Sequence, residues 1–257
     1  MTVSQNEEAK DRAATLRSRT RLSANKNLLF WYDQLYRDQF KDFPDPAALS
    51  ILEVGSGTSP LKQLFSNVVT SDVLDLDYLN LVFDCHDIDK LDAIKNESLD
   101  VITLTNVLHH LKSPIAFLNR AANKLKPGGR VIATEPFFSF LSTLIFRFLH
   151  HEPVDLEIAE PELKNIHGPL ASANIALPWL IFFRRRDWVQ RLNDHYDVDS
   201  LSIRPFSAVS YMITGGISRK IPIPSLVYRV MFPLDLALSR CLPRLCASFF
   251  TLTITRR

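Results

Sequence analysis

The residues best suited to bind a ligand come directly after a short apolar run, Ile51–Val54. This run contains Glu53 and leads into Gly55-Ser56-Gly57, a turn in which two glycines let the backbone approach a ligand closely. Asp72 ends the next apolar run, and its carboxylate can accept hydrogen bonds from two ribose hydroxyls. A strand, a glycine turn, a helix and a second strand with a terminal acid predict a pocket for a nucleoside-bearing cofactor.

Further apolar runs predict the sheet that positions these residues. Beyond the first two strands, predicted strands lie at 81–84, 100–104, 130–134, 198–203 and 249–255. Predicted helices lie between them at 61–65, 114–125 and 186–196. Strands that alternate with helices predict an α/β fold, built on a doubly wound, mostly parallel, seven-stranded Rossmann-like sheet.

The link between the second and third predicted strands is short, because only nine residues separate Asp72 from Val82. A parallel crossover with a full helix needs a dozen or more residues, so any helix in this link is vestigial. The wall that such a helix would build beside the pocket must come from elsewhere. The N-terminal helix and the segment 136–184 are the two candidates.

The chain has 257 residues, a length that suits a single domain. Its predicted parts are a disordered tail at 1–12 and one domain at 13–257, with the core of the domain at 48–136 and 185–257. Three additions to this core are rich in apolar residues: a predicted helix at 13–41, an insertion at 136–184 and an insertion at 205–246. The insertion 136–184 borders the pocket and is predicted to be a lid. Alternatively, both insertions simply pack on the core.

Taken together, these segments resemble the class I S-adenosylmethionine-dependent methyltransferases, in the small-molecule, methyltransferase-11-like branch, over about residues 50–136. Four pieces match in order. The first three are Glu53-Val-Gly55-Ser-Gly57, Asp72 and Asp84-Cys85-His86-Asp87-Ile88. The fourth is the run Asp100-Val-Ile-Thr-Leu-Thr-Asn106-Val-Leu-His109-His110-Leu111, followed by Leu125-Lys126-Pro127-Gly128-Gly129. The resemblance implies methyl transfer as the reaction and S-adenosyl-L-methionine as the cofactor.

The resemblance also implies a role for each matched residue in binding this cofactor. Gly55, Ser56 and Gly57 form the turn that brings the backbone beside the amino-acid part and the sugar. Glu53 helps to hold the ammonium end, and Asp72 accepts from both ribose hydroxyls. As an alternative, Asp72 caps the turn that follows it.

Three later residues complete the implied cofactor site. Asp84 accepts from the adenine amino group, and the backbone N–H of Cys85 serves a ring nitrogen. Asn106 lies just beyond the fourth strand, where the backbone contacts the amino-acid end. As alternatives, Asp84 caps a turn and the Cys85 thiol fills space rather than reacting.

A nicotinamide cofactor is the nearest alternative ligand, and the glycine pattern argues against it. The fingerprint for that cofactor is Gly-x-Gly-x-x-Gly, whereas this chain has Pro60 at the position of the third glycine. The sequence also lacks the Gly-Lys-Ser/Thr of a phosphate-binding loop. Both alternatives are therefore disfavoured.

Candidate catalytic side chains lie in two places. His109 and His110 follow the fourth predicted strand, and His151 and Glu152 lie in the insertion 136–184. Histidine suits base catalysis because its pKa lies near neutrality, so His110, His151 and Glu152 are the catalytic candidates. Alternatively, at least one histidine of the Leu-His-His-Leu run packs structurally. No histidine or cysteine spacing predicts a metal site.

Charge is distributed unevenly although the formal net charge is only +2. Residues 204–257 carry eight Lys or Arg and one acid, and much of this part is also apolar. A basic apolar segment predicts contact with an anionic membrane surface, or alternatively a solvated basic face on an ordinary core. The basic residues are not interleaved with aromatic ones, so no nucleic-acid partner is expected.

Cysteine usage and hydropathy bear on location and partners. The three cysteines make no disulfide framework, which favours a reducing compartment, and no apolar run reaches the length of about 18–20 residues that spans a bilayer. We expect a cytoplasmic protein that contacts the inner face of the membrane through its basic apolar part. The expected acceptor is a small molecule or a lipid-linked molecule such as a saccharide. The alternative is a non-catalytic cofactor-binding protein that docks a partner on the same fold.

Overall fold

The structure, a computed structural model, describes residues 3–148, 152–164, 166, 172–217 and 219–257. The strands are β1 (Ile51–Val54), β2 (Val68–Asp72), β3 (Leu81–Val82), β4 (Leu99–Thr105), β5 (Leu125–Pro136), β6 (Tyr196–Phe206) and β7 (Phe249–Arg256). The helices are α1 (Val3–Ser23), α2 (Lys26–Phe40), α3 (Leu61–Leu64), α4 (Pro114–Ala121), α5 (Phe140–Phe148), α6 (Leu177–Trp179), α7 (Arg186–Gln190), α8 (Ser210–Ile213), α9 (Ser225–Cys241) and α10 (Pro243–Cys246). Shorter 3₁₀ turns lie at Pro46–Ala48, Cys85–Lys90 and Leu108–His110, and a π turn lies at Leu180–Arg184.

The strands form one seven-stranded sheet in the order β3-β2-β1-β4-β5-β7-β6. Pairs among β1 to β5 are parallel, whereas β7 runs antiparallel to both β5 and β6. All four residues of β1 are buried, as expected for a central parallel strand that is covered on both faces. The prediction of a mostly parallel seven-stranded Rossmann-like sheet is confirmed.

The two faces of the sheet carry separate cores, because neighbouring residues of a strand point to opposite faces. On one face, Leu52 and Ile102 belong to a cluster that includes Trp188 of α7 and residues of α4 and α6. On the other face, Ile51 packs in a cluster with Trp31 of α2 and aromatic residues of α9. Helices therefore cover both faces of the sheet, in agreement with the predicted doubly wound arrangement.

The N-terminal segment differs from its prediction, which was a disordered tail at 1–12 and one helix over 13–41. Residues 3–12 lie in α1, and a break at Asn25 separates α1 from α2. Asn25 caps α2 because its side-chain oxygen accepts from the Leu28 N–H at 3.2 Å, and its amide donates to the Thr214 carbonyl at 3.0 Å. Asparagine is favoured at this capping position, so the periodic apolar pattern continues through two helices.

Strands β5 and β6 are longer than predicted. Strand β7 pairs with β5 from Arg130 to Pro136, and it pairs with β6 out to Phe206. These ladders extend both strands into segments that were predicted to be turn, helix or insertion, and α4 and α7 end correspondingly early. In contrast, the link between β2 and β3 contains no helix, as predicted from its length.

The two apolar insertions form short helices around the sheet. The described part of 136–184 contributes α5, α6 and the π turn, and 205–246 contributes α8, α9 and α10. Within the residues that the structure describes, no helix combines the length and the apolar character needed to cross a membrane. The lid role of 136–184 stays a prediction.

Candidate cofactor and acceptor site

The ends of β1, β2 and β4 lie side by side at one edge of the sheet, because β1 pairs with both neighbours. Val54 is opposite Ser71 on β2 and Leu104 on β4, so the chain leaves all three strands at the same level. This register brings Glu53, Asp72 and the turn at Asn106 to one edge. Ligands of open α/β sheets bind at this carboxyl edge.

Glu53 is a buried carboxyl held by two serine hydroxyls. Ser56 Oγ donates to Glu53 Oε2 at 2.8 Å, and Ser59 Oγ donates to Oε1 at 2.5 Å. Ser59 Oγ also lies 2.8 Å from the hydroxyl of Tyr36. Burial raises the pKa of Glu53 to about 7, although the two serine hydroxyls oppose this shift. The carboxyl can therefore ionise near neutral pH, which suits a partner that brings an ammonium group.

Gly55 makes the turn after β1 in a conformation that suits glycine. Its φ is +75°, and a Cβ placed on it would lie 2.4 Å from Cγ2 of Val107. A side chain at this position would therefore both strain the backbone and displace the turn after β4. The bare glycine leaves the turns after β1 and β4 in direct contact.

Asp72 accepts two backbone N–H groups and keeps further lone pairs for a ligand. Gly57 N donates to Asp72 Oδ2 at 3.0 Å, and Leu74 N donates to Oδ1 at 3.1 Å. Burial raises the pKa of this carboxyl, and the backbone donors work in the opposite direction. Asp72 thus joins the glycine turn to the start of the β2–β3 link, as in the predicted turn-capping alternative. These two bonds leave lone pairs of the carboxylate available to a ligand.

Helix α1 builds the wall that the short β2–β3 link leaves out. A Cβ placed on Gly57 would lie 2.8 Å from Cγ2 of Thr15, so α1 packs directly on the glycine turn. The guanidinium carbon of Arg19 lies 3.8 Å from the centre of the Tyr78 ring, and the Tyr78 hydroxyl donates to the Gly57 carbonyl at 2.5 Å. The N-terminal helix is therefore the candidate wall that the structure supports.

Asp84 and Cys85 lie after β3, at the same edge of the sheet. Asp84 Oδ1 accepts from the His86 N–H at 2.9 Å and lies 2.8 Å from His86 Nδ1. This geometry matches the turn-capping alternative, although the carboxylate is exposed and keeps acceptor capacity. Burial raises the pKa of the Cys85 thiol, which therefore stays neutral and packs against the core.

Asn106 offers a buried acceptor at the turn after β4. Its backbone has a φ of +57°, a region that asparagine tolerates, and its N–H donates to the Thr134 carbonyl at 2.8 Å. Its side-chain Oδ1 is buried and has no hydrogen-bond partner among the described residues. A buried acceptor without a donor is costly unless a ligand supplies one. An ammonium group is one kind of donor that this acceptor could take, and the bare turn at Gly55 lies beside it.

The second part of the site contains His109, which is held by a fully buried glutamate. Glu135 Oε2 lies 2.5 Å from His109 Nδ1, and its Oε1 accepts from the N–H groups of Val107 at 2.8 Å and Leu108 at 2.7 Å. Burial lowers the pKa of His109, but the Glu135 carboxylate outweighs this effect and raises that pKa to about 10. Sequence reasoning missed Glu135. The signal that could have revealed it is an acid near the carboxyl end of β5, at the same edge as the other acids.

His110 and Glu152 lie beside His109. His110 Nδ1 lies 3.0 Å from the Ser172 carbonyl, and burial together with His109 lowers the pKa of His110 to about 4. Glu152 Oε2 lies 3.6 Å from His109 Nε2, and Glu152 Oε1 lies 3.8 Å from His110 Nε2. The structure therefore brings together two of the three catalytic candidates, while His151 lies outside the described residues.

A protein-family model matches most of the residues that build this architecture. The model of a family described as a methyltransferase domain matches residues 17–195, which is more than half of the chain and includes α2, β1 to β5 and the acceptor side of the site. No curated protein matches the chain.

Several solved structures are similar to this chain. A methyltransferase from Thermotoga maritima that depends on S-adenosylmethionine has a TM-score of 0.50 and 10% identity, over 94% of this chain and 99% of its own. Another from Archaeoglobus fulgidus has a TM-score of 0.47 and 13% identity, over 86% and 93%. A third from Mesorhizobium loti has a TM-score of 0.43 and 14% identity, over 86% and 97%. At these identities the similarity concerns the fold alone.

Proposed function

We propose that this chain, which belongs to the class I S-adenosylmethionine-dependent methyltransferase family, transfers a methyl group to a lipid-linked acceptor at a membrane surface. S-adenosylmethionine is the cofactor of this family and supplies an electrophilic methyl group when bound. The observation that carries the acceptor class is an exposed apolar surface on α5, α9 and α10.

In this proposal the carboxyl edge of β1, β2, β3 and β4 holds the cofactor. Its proposed binding residues are Glu53, Gly55, Ser56, Gly57, Asp72, Asp84, Cys85 and Asn106. Glu53 and the open Oδ1 of Asn106 take the ammonium end, and Asp72 takes the ribose hydroxyls. Serine hydroxyls and backbone N–H groups already orient the carboxyl groups of Glu53 and Asp72.

The apolar surface is formed by exposed side chains of three helices. Along α9, every fourth residue from Leu226 to Leu238 is at least 45% exposed, so one face of the helix has few contacts with the core. Helix α10 contacts both α5 and α9, so the exposed apolar residues lie on neighbouring helices. Its members are Phe140, Leu144, Phe148, Leu226, Val227, Val230, Met231, Leu234, Leu238, Leu242 and Leu245. Exposed apolar patches of this kind mark interaction sites.

Charge around the apolar surface favours an anionic membrane as its partner. Arg147, Arg229 and Arg244 are exposed on α5, α9 and α10. The acid of α9, Asp235, is directed inward, where its carboxylate accepts the N–H groups of Ala208, Val209 and Ser210. The outward charge near the surface is therefore positive. Apolar side chains flanked by arginines suit the interface of anionic lipids.

The apolar surface is joined to the acceptor end of the site through β5. Glu135 near the end of β5 holds His109, and α5 begins a few residues later at Phe140. A lipid-linked acceptor could therefore keep its chain in the bilayer while its polar head group reaches His110 and Glu152. In our proposal, these two residues contact the head group, and a saccharide hydroxyl is the acceptor class that suits their polar side chains.

Vesicle flotation tests the membrane part of the proposal. We expect the wild-type chain to float with phosphatidylglycerol vesicles and to float much less with phosphatidylcholine vesicles. The double variant Val230→Glu/Leu234→Glu should stay in the soluble fraction, because two buried charges oppose insertion. Leu16→Glu is a matched control, since Leu16 is an exposed helical leucine outside the apolar surface. A wild-type chain that floats with neither vesicle type would overturn the membrane proposal.

A radiolabel assay tests the acceptor class. The full chain is incubated with S-adenosylmethionine carrying a labelled methyl group, and with either the lipid extract or the aqueous extract of cells that express it. Label that partitions into the organic phase supports a lipid-linked acceptor. Label that stays in the aqueous phase would replace it with a soluble acceptor. Cofactor binding without label in either phase would favour the non-catalytic alternative.

A further inference from the structure

Three potential metal ligands converge at the acceptor end of the site. The Nε2 atoms of His109 and His110 and a carboxylate oxygen of Glu152 all lie within 4.8 Å of one another. The histidines come from the 3₁₀ turn after β4, and Glu152 comes from the segment after α5. His109 and Glu135 are fully or nearly fully buried, so water has little access to their side of the cluster.

Hydrogen bonds on the far side of each ring orient both histidines toward Glu152. Nδ1 of His109 faces the Glu135 carboxylate, and Nδ1 of His110 faces the Ser172 carbonyl. Both partners are acceptors, so each ring keeps its proton on Nδ1, and a metal at the cluster would replace the proton that His109 carries on Nε2.

The distances within the cluster fit a metal better than they fit hydrogen bonds. The separations of 3.6 Å and 3.8 Å between the two Nε2 atoms and Glu152 exceed normal hydrogen-bond lengths. Ligand atoms about 2.1 Å from a tetrahedral metal lie about 3.4 Å apart, so small side-chain shifts would complete the shell. The contact between Glu135 and His109 Nδ1 is the carboxylate–histidine support that metal-binding histidines commonly have.

We propose that His109, His110 and Glu152 form a three-ligand site for a divalent metal of the zinc class, with one coordination position left open. Two imidazoles and one carboxylate are a ligand set that zinc accepts in catalytic sites. A metal at this place would polarise a hydroxyl oxygen of the acceptor. That last role rests on the proposed function, whereas metal binding by itself does not.

The site escapes detection in the sequence because its ligands are far apart along the chain. The adjacent pair His109-His110 lacks the spacing of a metal motif, and Glu152 is separated from it by β5 and α5. Only the fold brings the carboxylate to the two rings. The prediction of no metal site rested only on the spacing of histidines and cysteines along the chain, which does not show residues that meet after folding.

Titration of the metal-free full chain with Co²⁺, a spectroscopic substitute for Zn²⁺, tests the proposal. The chain is first treated with a chelator and dialysed, and no cofactor or acceptor is added. We expect one equivalent of Co²⁺ to bind with a visible absorption change, and Zn²⁺ to displace it. Glu152→Gln and His110→Ala should each weaken binding at least about tenfold, because each removes one ligand.

Glu135→Gln tests the supporting carboxylate without touching a ligand. The amide would donate to His109 Nδ1 while still accepting the N–H groups of Val107 and Leu108. Since His109 must then carry its proton on Nε2, it loses the lone pair that would bind the metal, and we expect affinity to fall about 10–100-fold. Circular dichroism of each variant checks the fold. Glu152→Gln, at a partly exposed residue, gives the decisive result if Glu135→Gln does not fold.

Two controls exclude other cobalt ligands. Asp84, Cys85 and His86 form a second described group with ligand atoms close together, and Cys241 is an exposed thiol. His86→Ala and Cys241→Ser should leave the Co²⁺ affinity unchanged. The proposal is wrong if the wild-type chain binds no Co²⁺, or if Glu152→Gln and His110→Ala bind it as the wild type does. Since no cofactor or vesicle is present, these outcomes are independent of the tests of the proposed function.

Discussion

The cofactor half and the acceptor half of the site differ in how the chain assembles them. In the cofactor half, Glu53 and the glycine turn are adjacent in sequence, and Asp72 ends the next strand. In the acceptor half, His109 follows β4, Glu135 belongs to β5, and Glu152 comes from beyond α5. The first half follows from local order along the chain, whereas the second exists only after the sheet and its insertion have folded.

The two halves also differ in how their carboxyl groups are stabilised. Burial raises the pKa of both Glu53 and Asp72, whose partners are hydroxyl or N–H donors. Glu135 instead faces a histidine as well as two backbone N–H groups. The cofactor half therefore holds carboxyls that a cationic or donor-rich ligand would stabilise, while the acceptor half already contains a paired carboxylate. This contrast leads to tests that separate the halves.

The largest expected effect is the loss of cofactor affinity in Asp72→Ala. Asp72 can accept two ribose hydroxyls, and hydrogen bonds to a charged group contribute about 1.5–3 kcal/mol each, so affinity should fall at least about 100-fold. Calorimetry with S-adenosylmethionine measures this change. Asp75→Ala, at a nearby exposed acid, should bind as the wild type does. If the halves are separable, Asp72→Ala keeps its Co²⁺ affinity. An unchanged affinity for S-adenosylmethionine would remove Asp72 from the cofactor site.

A smaller effect should come from the contact between the turns after β1 and β4. Gly55→Ala places a Cβ 2.4 Å from Val107 Cγ2 at a φ of +75°, so we expect a loss of about 2–3 kcal/mol in the free energy of unfolding. Gly128→Ala is a matched control, because Gly128 has a φ of +78° and open space around it. Its loss should be about 1 kcal/mol, the backbone cost alone. Equal losses in urea unfolding of the two variants would show that the contact with Val107 is unimportant.

The sequence predicted the strands and the glycine turn of the cofactor edge because their signals are local. Glycines after a buried strand and an acid at the end of the next strand lie at the same edge in any parallel sheet. The link after Asp72 is too short to contain a full crossover helix. The same local signals erred where pairing with another strand decides the outcome. Residues 126–129 were predicted to lie between the helix 114–125 and the strand 130–134, yet they belong to β5.

The acceptor half was predicted only in pieces for the same physical reason. His110 and Glu152 were chosen for their chemistry, but no periodicity shows that they meet, and Glu135 resembles any acid at the end of a strand. Their proximity depends on the pairing of β4 with β5 and on the path of the segment after α5. Non-local packing of this kind cannot be derived from one sequence by pattern alone.

The raised pKa of Glu53 predicts a pH dependence of stability with a definite sign. A carboxyl whose folded pKa lies above its unfolded pKa binds more protons when folded, so its contribution falls as pH rises between the two values. Between pH 5 and 6.5 the wild type should lose about 2 kcal/mol of unfolding free energy relative to Glu53→Gln. Urea unfolding of both proteins at several pH values measures this difference.

Asp100→Asn should show the opposite pH dependence of stability when its urea unfolding is measured in the same way. Burial acts to raise the pKa of Asp100, but Lys126 and the Ser50 N–H lower it overall. The wild type should therefore gain stability relative to Asp100→Asn as pH rises through the acid range. A Glu53→Gln curve parallel to that of the wild type would show that the pKa of Glu53 is the same in the folded and unfolded chain, and would contradict the raised pKa.

The smallest expected effect is at Asn106, where a substitution should change cofactor affinity but hardly change the free energy of unfolding. Asn106→Gly removes the buried Oδ1 that has no described partner and places glycine at a φ of +57°, which glycine adopts without strain. The free energy of unfolding should change by less than about 1 kcal/mol, while affinity for S-adenosylmethionine should fall about five- to tenfold because one hydrogen bond is lost. Asn119→Gly is unsuitable as a control because it lies within α4, so Asn96→Ala, at an exposed residue before β4, serves instead. If Asn106→Gly binds S-adenosylmethionine as the wild type does, Oδ1 has no cofactor role. The ammonium end would then depend on Glu53 and on the backbone of the Gly55 turn.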